Sequence, residues 1–243
     1  MRYLATLWFW AVFGSTVVPG FLVGVVLWLV LLPFDPDRRV LHAYVCRWCF
    51  LYLRCWPGWR ARVEGRELLP RGACVLVANH QSMADIFAAM GLFHPFKFVS
   101  KASLFRIPLL GWMMSLLRYV RVERGRPQSM RGMLDVCRAW LGRGMPVLLF
   151  PEGTYGEAGR LLPFRRGAFR LAQEARVPVV PVVIRGTTDL VEGDGPWMNP
   201  RARVYVRVLP PVRPEDFGSD EGVLADRVRG LFLQALGSHD SSG

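Results

Sequence analysis

Cys74-Val75-Leu76-Val77-Ala78-Asn79-His80-Gln81-Ser82-Met83-Ala84-Asp85 decides how the chain is read. Residues 74–78 are apolar and include β-branched Val75 and Val77, the pattern of a buried strand. The strand stops on Asn79-His80, and a helical pattern begins at Ser82. His80 therefore falls at a strand-to-helix junction, a loop position on a rigid scaffold of the kind that carries catalytic groups. Within one straight helix, His80 and Asp85 would not face each other. With His80 still in the loop and Asp85 in the first helical turn, the chain folds the two together. A carboxylate bonded to one ring nitrogen fixes the tautomer and leaves the other nitrogen as a base. A structural reading stands beside this one. Ser82-x-x-Asp85 also has the form of a capping box, in which the acid only closes the helix start, and His80 is then a buried, satisfied histidine.

Upstream, no charged residue occurs in residues 3–34, a run longer than the ~20 apolar residues that cross a bilayer. Pro19-Gly20 divides it, so a kinked span and a re-entrant hairpin both fit. A cleaved signal peptide fits less well, because its positive n-region would be Arg2 alone and no small-x-small site follows cleanly. Arg38, Arg39 and Arg47 outnumber Arg2, which by the positive-inside rule puts the rest of the chain on the cytoplasmic side. In residues 38–59 aromatic and apolar side chains mix with spaced arginines. That pattern suits a helix lying in the interface, rings in lipid and guanidinium groups at the headgroups. An amphipathic core helix has the same pattern. The chain thus divides into a membrane segment (1–34), an amphipathic interfacial helix (35–60) and a third region (61–243).

After Pro57-Gly58 the character changes. Strands are expected at 61–64, 74–78, 97–100, 147–150, 179–184 and 203–209, and helices at 83–91, 108–117, 128–141, 167–175 and 222–236. This alternation predicts an α/β fold, with helices covering a mixed, mostly parallel sheet. Lys plus Arg number 31 against 19 Asp plus Glu, a net charge of +12, which points to anionic partners. Nine tryptophans and 52% hydrophobic residues favour a surface of anionic lipids over nucleic acid, and no nucleic-acid module is recognisable. The five cysteines do not form a disulfide framework. Cys46-x-x-Cys49 lacks a second ligand pair, so no metal is expected there.

Other stretches carry chemistry. The apolar run 147–150 ends on Pro151-Glu152-Gly153-Thr154. Gly153 permits close backbone approach to a ligand, and Thr154 with neighbouring amides suits phosphate oxygens; alone, the stretch is a surface turn. Arg165-Arg166 opens a helix, an arrangement that suits a phosphate or headgroup but also describes a solvated basic turn. In Val120-Arg121-Val122-Glu123-Arg124 the valines alternate with charges, as in a half-buried extended segment. Arg124 at its end suits bidentate phosphate binding, although alone it is an ordinary surface arginine.

Taken in order, His80-x4-Asp85, Arg124, Phe150-Pro151-Glu152-Gly153-Thr154 and Val177-Pro178-Val179-Val180-Pro181-Val182 resemble the glycerolipid acyltransferase superfamily. The resemblance is strongest to the bacterial 1-acylglycerol-3-phosphate acyltransferases and covers about residues 61–209. Lys101, Pro108 and Gly111 sit where that family has its Lys…Pro…Gly stretch. The resemblance implies that 61–243 is an acyltransferase domain. It implies His80 as general base and Asp85 as its orienting partner. It also implies Arg124, Glu152, Gly153 and Thr154 at the acceptor phosphate, with Lys101, Arg165 and Arg166 as further cations there. Pro181 falls on the acyl-donor side or in the fold around it. The implied reaction carries a fatty acyl group from an acyl thioester, borne by coenzyme A or an acyl carrier protein, to the free hydroxyl of a lyso-glycerolipid. The first expectation is 1-acylglycerol-3-phosphate giving phosphatidic acid, without metal or other cofactor, at the cytoplasmic face of a bacterial inner membrane. No Gly-x-Ser-x-Gly elbow is present, so direct attack by the acceptor hydroxyl is expected rather than an acyl-enzyme. Many members follow Gly-Thr with Arg or Ser, whereas Tyr155 stands here. That departure keeps another lysophospholipid or a lyso-aminolipid open as acceptor. A non-catalytic basic membrane-binding protein is the reading from another class.

Overall fold

The computed structural model describes residues 1–155, 160–191, 196–218 and 220–237. Two helices lead, α1 (Arg2–Leu31) and α2 (Arg39–Tyr52). Then follow β1 (Trp59–Glu64), β2 (Val75–Ala78), α3 (Ala84–Met90), β3 (Lys97–Lys101), α4 (Leu110–Leu116) and β4 (Val120–Val122). The chain continues through α5 (Pro127–Gly142), β5 (Val147–Leu149), α6 (Gly167–Ala175), β6 (Val179–Arg185), β7 (Ala202–Val208) and α7 (Glu221–Gly237).

Every residue of β2 is buried, which requires cover on both faces of its sheet. The strand order is β1-β7-β6-β2-β5-β3-β4. All pairs are parallel except β6 with β7, so the sheet is mixed and mostly parallel, as its sequence pattern predicts. Side chains alternate across it. Leu76 and Ala78 join Leu41, Val45, Phe50 and Ala88 in a core under α2 and α3. Val75 and Val77 join Trp140, Phe169, Val228 and Phe232 in a second core under α5, α6 and α7. Registers Val75↔Val147 and Val75↔Val179 bring the carboxyl ends of β2, β5 and β6 to one edge of the sheet. In open α/β sheets that edge is where ligands bind.

The apolar N-terminus is one continuous helix, and α1 runs through Pro19 without a break. A re-entrant hairpin is therefore not formed. Gly20 lets the Trp48 ring lie against the helix backbone, since a Cβ there would come within 2.5 Å of Trp48 Cζ2. The Asp35 carboxylate starts α2 by accepting the N–H groups of Arg39 (2.6 Å), Val40 (2.9 Å) and Leu41 (3.2 Å). The expected helix over 35–60 is shorter than its pattern suggested. One face of α2 belongs to the core and α1 lies along it, so it is a packed core helix; the chain then leaves it at Tyr52 and enters β1 at Trp59. The α1–α2 connection is pinned by a lysine with no sequence signal. Buried Lys97 donates from Nζ to the carbonyls of Asp37 and Leu117, both at 2.7 Å, and sits 4.4 Å from the Trp140 ring centroid. Burial pushes its ammonium down to about 7.

Candidate active site

His80 leaves the end of β2 and is buried. Its Nδ1 lies 2.8 Å from Asp85 Oδ2, in the first turn of α3. The same Oδ2 accepts the N–H groups of Gln81 (2.6 Å) and Ser82 (2.8 Å). Ser82 Oγ in turn accepts the Ala84 N–H at 3.1 Å. One carboxylate thus closes the helix start and orients the histidine, so the two readings of Ser82-x-x-Asp85 describe the same structure. Asp85 Oδ1 accepts the Thr187 hydroxyl. With Nδ1 bound to a carboxylate, Nε2 is the basic nitrogen left for chemistry.

The His80 ring stacks on Phe150, at the exit of β5, with centroids 4.0 Å apart and planes 11° from parallel. Tyr155 lies against it at 4.4 Å and 60°. The Tyr155 hydroxyl reaches Met83 Sδ at 2.6 Å. Burial pushes that phenol up, while the nearby Arg124 charge pulls it down. Tyr155 therefore stands among Arg124, Met83 and the base.

A cleft of about 120 Å³ is lined by Lys101, Arg124, Gly153, Arg165 and Met133, with Phe150 in its wall. Its cations come from the ends of different elements: Lys101 closes β3, Arg124 follows β4, and Arg165 precedes α6. Gly153 has φ +74°, and a Cβ there would stand 2.6 Å from Arg165 Nε, so glycine lets the guanidinium lie over the backbone. The first residues of α6, Gly167 and Ala168, close the wall and add the positive end of a helix dipole. No carboxylate lines the cleft among the described residues. It is a cationic cleft that shares Phe150 with the His80 base.

Other expected residues stand elsewhere. Glu152 is buried behind the site: Oε1 accepts the His80 N–H and Oε2 the Leu162 N–H, both at 2.8 Å. Burial pushes its carboxyl up, against those donors. It ties the exits of β2 and β5 together and does not line the cleft. Thr154 is exposed, and its hydroxyl makes no hydrogen bond among the described residues. Arg166 points the other way from Arg165. Its guanidinium packs at Gly222 near the start of α7, where a Cβ would come within 3.2 Å of it. Pro181 is buried in mid-β6, opposite Val77, and its carbonyl accepts the Leu209 N–H at 2.9 Å. It belongs to the sheet.

Two residues were missed by sequence reasoning. Thr187 fixes the second oxygen of Asp85. Asn79 bonds the backbone of Ile184 in both directions, at 2.7 and 2.8 Å, and locks the exit of β2 to β6. Their partners lie 102 and 105 residues away.

Fold and site together define an α/β protein in which a His–Asp pair stands beside a cleft lined by Lys101, Arg124 and Arg165 at the carboxyl edge of the sheet. A family model described as Acyltransferase matches residues 60–185, more than half of the chain, and the chain belongs to that family. Among curated relatives, the chloroplastic 1-acyl-sn-glycerol-3-phosphate acyltransferase BAT2 of Brassica napus is 34% identical over 206 residues, 84% of this chain. The chain spans only 58% of that relative's length. The 1-acyl-sn-glycerol-3-phosphate acyltransferase of Pseudomonas aeruginosa is 31% identical over 205 residues, covering 72% of this chain and 79% of the relative. The crystal structure of the 1-acyl-sn-glycerophosphate (LPA) acyltransferase PlsC from Thermotoga maritima superposes with a TM-score of 0.77 at 26% identity, covering 100% of this chain and 97% of the other.

Proposed function

We propose that the protein is a membrane-bound O-acyltransferase that moves a fatty acyl group from an acyl thioester to the free hydroxyl of 1-acylglycerol-3-phosphate. One observation carries this reading: the His80 base and the cleft of Lys101, Arg124 and Arg165 share Phe150, which stacks on the one and lines the other. An acceptor holding its phosphate in that cleft presents a hydroxyl to Nε2. His80 takes the hydroxyl proton as the oxygen attacks the thioester carbonyl. Asp85 holds the resulting imidazolium. When the tetrahedral intermediate collapses, the carbon–sulfur bond breaks and the proton passes to the thiolate, so the base is regenerated and no acyl-enzyme forms. The names of the relatives agree with this acceptor. A panel of lyso-lipids with one labelled acyl thioester tests it. Transfer to lysophosphatidate is expected to exceed transfer to lyso-lipids with choline or ethanolamine headgroups by about 10-fold or more. Preference for an amino headgroup would move the assignment to the lyso-aminolipid reading, which Tyr155 beside Arg124 keeps open.

The anchor in this proposal is α1, the one described helix long and apolar enough to cross a membrane. We place it in one leaflet of a bacterial inner membrane, lying along the surface with the domain on the cytoplasmic side. Its attachments run nearly end to end. Trp8 Nε1 donates to Cys55 O (2.6 Å), Thr16 meets the Tyr52 hydroxyl (2.8 Å), and Phe21 packs on Trp112. A perpendicular pose would drag those partners into the bilayer, polar backbone included. Leu7, Leu22, Val26 and Val30 remain exposed for lipid. Single cysteines at Tyr3→Cys and Phe34→Cys are expected to react with an impermeant reagent from the same side of sealed vesicles. Labelling from opposite sides would show a span.

A further inference from the structure

The solvent face of β1 and β7 carries a strip of arginine that the chemistry at His80 does not use. The strands pair in parallel, with Arg60↔Arg203, Arg62↔Tyr205 and Glu64↔Arg207 in register. All six side chains are exposed on one face, while their neighbours Trp59, Ala202, Val204 and Val206 turn into the core under α2. Arg54 and Arg201 extend the strip: Arg54 lines a shallow cleft with Arg60 and Arg62, and Arg201 lines another with Arg60 and Arg203. Glu64 is paired with Arg62 at 2.7 Å, and Asp189 sits on the rim. The side chains of Arg54, Arg60, Arg201, Arg203 and Arg207 make no hydrogen bond or ion pair among the described residues.

Like charges directly opposite on neighbouring strands weaken a sheet. Charges on an edge strand do protect against stray pairing, and that accounts for Arg60 and Arg62. It does not account for Arg203, because β7 lies inside the sheet between β1 and β6; Arg207 stands opposite Glu64, a favourable cross-strand pair. The strip also has a direction. Ile184↔Val206 sets the register of β6 and β7, and Ile184 is bonded to Asn79 beside His80. Because β7 runs antiparallel to β6, Arg203 stands roughly 10 Å beyond that level on the catalytic edge, about two strand spacings from β2. The anion cleft lies on the other flank of His80, among β3, β4 and β5.

We propose that the β1–β7 arginine strip is a docking surface for an acidic acyl carrier protein, which delivers the thioester to His80 from the side opposite the acceptor. This rests on the acyl-transfer reading above. The arginines spread over two strands rather than converging on a point as the phosphates of a nucleotide carrier would require, which suits a helix lined with carboxylates. Arg60, Arg62, Arg203 and Arg207 face away from the layer that holds α1 and α2, so a bilayer engaged by α1 does not meet these four, whereas Arg54 stands next to Cys55, which α1 contacts through Trp8. A net charge of +12 adds long-range attraction for an acidic protein.

The experiment uses full-length protein in neutral vesicles, with lysophosphatidate as acceptor and either palmitoyl-coenzyme A or palmitoyl-acyl carrier protein as donor. The variants are Arg203→Glu/Arg207→Glu and Arg60→Glu. Their KM for the carrier-protein donor is expected to rise by about 10-fold or more, and that for palmitoyl-coenzyme A to change by less than about twofold. Equal losses with both donors, no loss with either, or a loss with coenzyme A alone would overturn the proposal. Fluorescence titration of labelled carrier protein onto the wild type and variants, at low and high salt, reads docking without turnover. Salt-sensitive binding lost in the variants supports the strip even where lysophosphatidate is not the acceptor. Absence of binding to an otherwise active wild type overturns the strip and leaves the acyl-transfer reading intact. Reduced capture of the variants by acidic vesicles, with carrier binding unchanged, would reassign the strip to lipid headgroups and overturn it as well.

Discussion

His80→Ala is expected to lower the rate of acyl transfer at saturating substrates by about 100- to 10,000-fold, the range that a positioned general base contributes. Asp85→Asn should fall in the same range while keeping the shape of the site. In the place of Oδ2 the amide oxygen still accepts from Gln81, Ser82 and His80 Nδ1, and the amide nitrogen takes the place of Oδ1 and faces the Thr187 hydroxyl, which must then turn to accept. What is lost is the negative charge that stabilises the imidazolium formed as His80 takes the proton. Thr187→Val removes one donor from the same carboxylate and leaves the His80 contact in place, so a smaller loss of about 10-fold is expected. Single-turnover transfer with purified variants measures all three, and thermal melting in detergent separates lost chemistry from lost fold. Transfer by His80→Ala at more than about a tenth of the wild-type rate would remove His80 from the role of base. A loss in Thr187→Val as deep as in Asp85→Asn would mean that the carboxylate is held from Thr187 rather than from the helix start.

The difference between Asp85 and Thr187 shows what the sequence can reveal. Asp85 is five residues from His80, and local rules are enough: an apolar strand, a loop, then a helix start fold the two together. Thr187 reaches Asp85 only because β6 pairs with β2, and a pairing across 102 residues leaves no local pattern. The same limit separates Arg165 from Arg166. Adjacent in sequence, they enter α6 about a quarter-turn or more apart, so one faces the anion cleft and the other faces α7. Glu152 is assigned to the phosphate site by the resemblance alone, although its charge has the wrong sign. Its two backbone partners, His80 and Leu162, explain why a carboxylate stands in that turn. In α2 the helical period was legible but its cover was not, since a stripe of Leu41, Val45 and Phe50 looks the same against lipid or against a core. The sheet was the easiest part, because runs such as Val75–Ala78 and Val147–Leu149, buried on both faces, carry their own signal.

Arg124→Ala and Arg165→Ala are each expected to raise the KM for lysophosphatidate by about 10- to 100-fold, because a hydrogen bond to a charged group is worth about 1.5–3 kcal/mol and a tenfold change about 1.4 kcal/mol. The KM for the acyl donor should not follow, since both arginines line the cleft among β3, β4 and β5 and not the sheet edge beyond β6. Arg124→Lys keeps the charge and loses the planar fork, so its loss should fall between those of wild type and alanine. Arg166→Ala serves as the internal control, because Arg166 packs at Gly222 and should change the KM by less than about twofold. Steady-state kinetics with each substrate varied in turn separates these effects. Unchanged acceptor KM in both alanine variants would empty the cleft of its assigned ligand, and an Arg166 effect as large as that of Arg165 would put the phosphate elsewhere. Monoacylglycerol, which has the same reacting hydroxyl and no phosphate, should be acylated slowly and at equal rates by wild type and variants. That equality assigns the lost binding to the phosphate, since a distorted His80 would slow both acceptors alike.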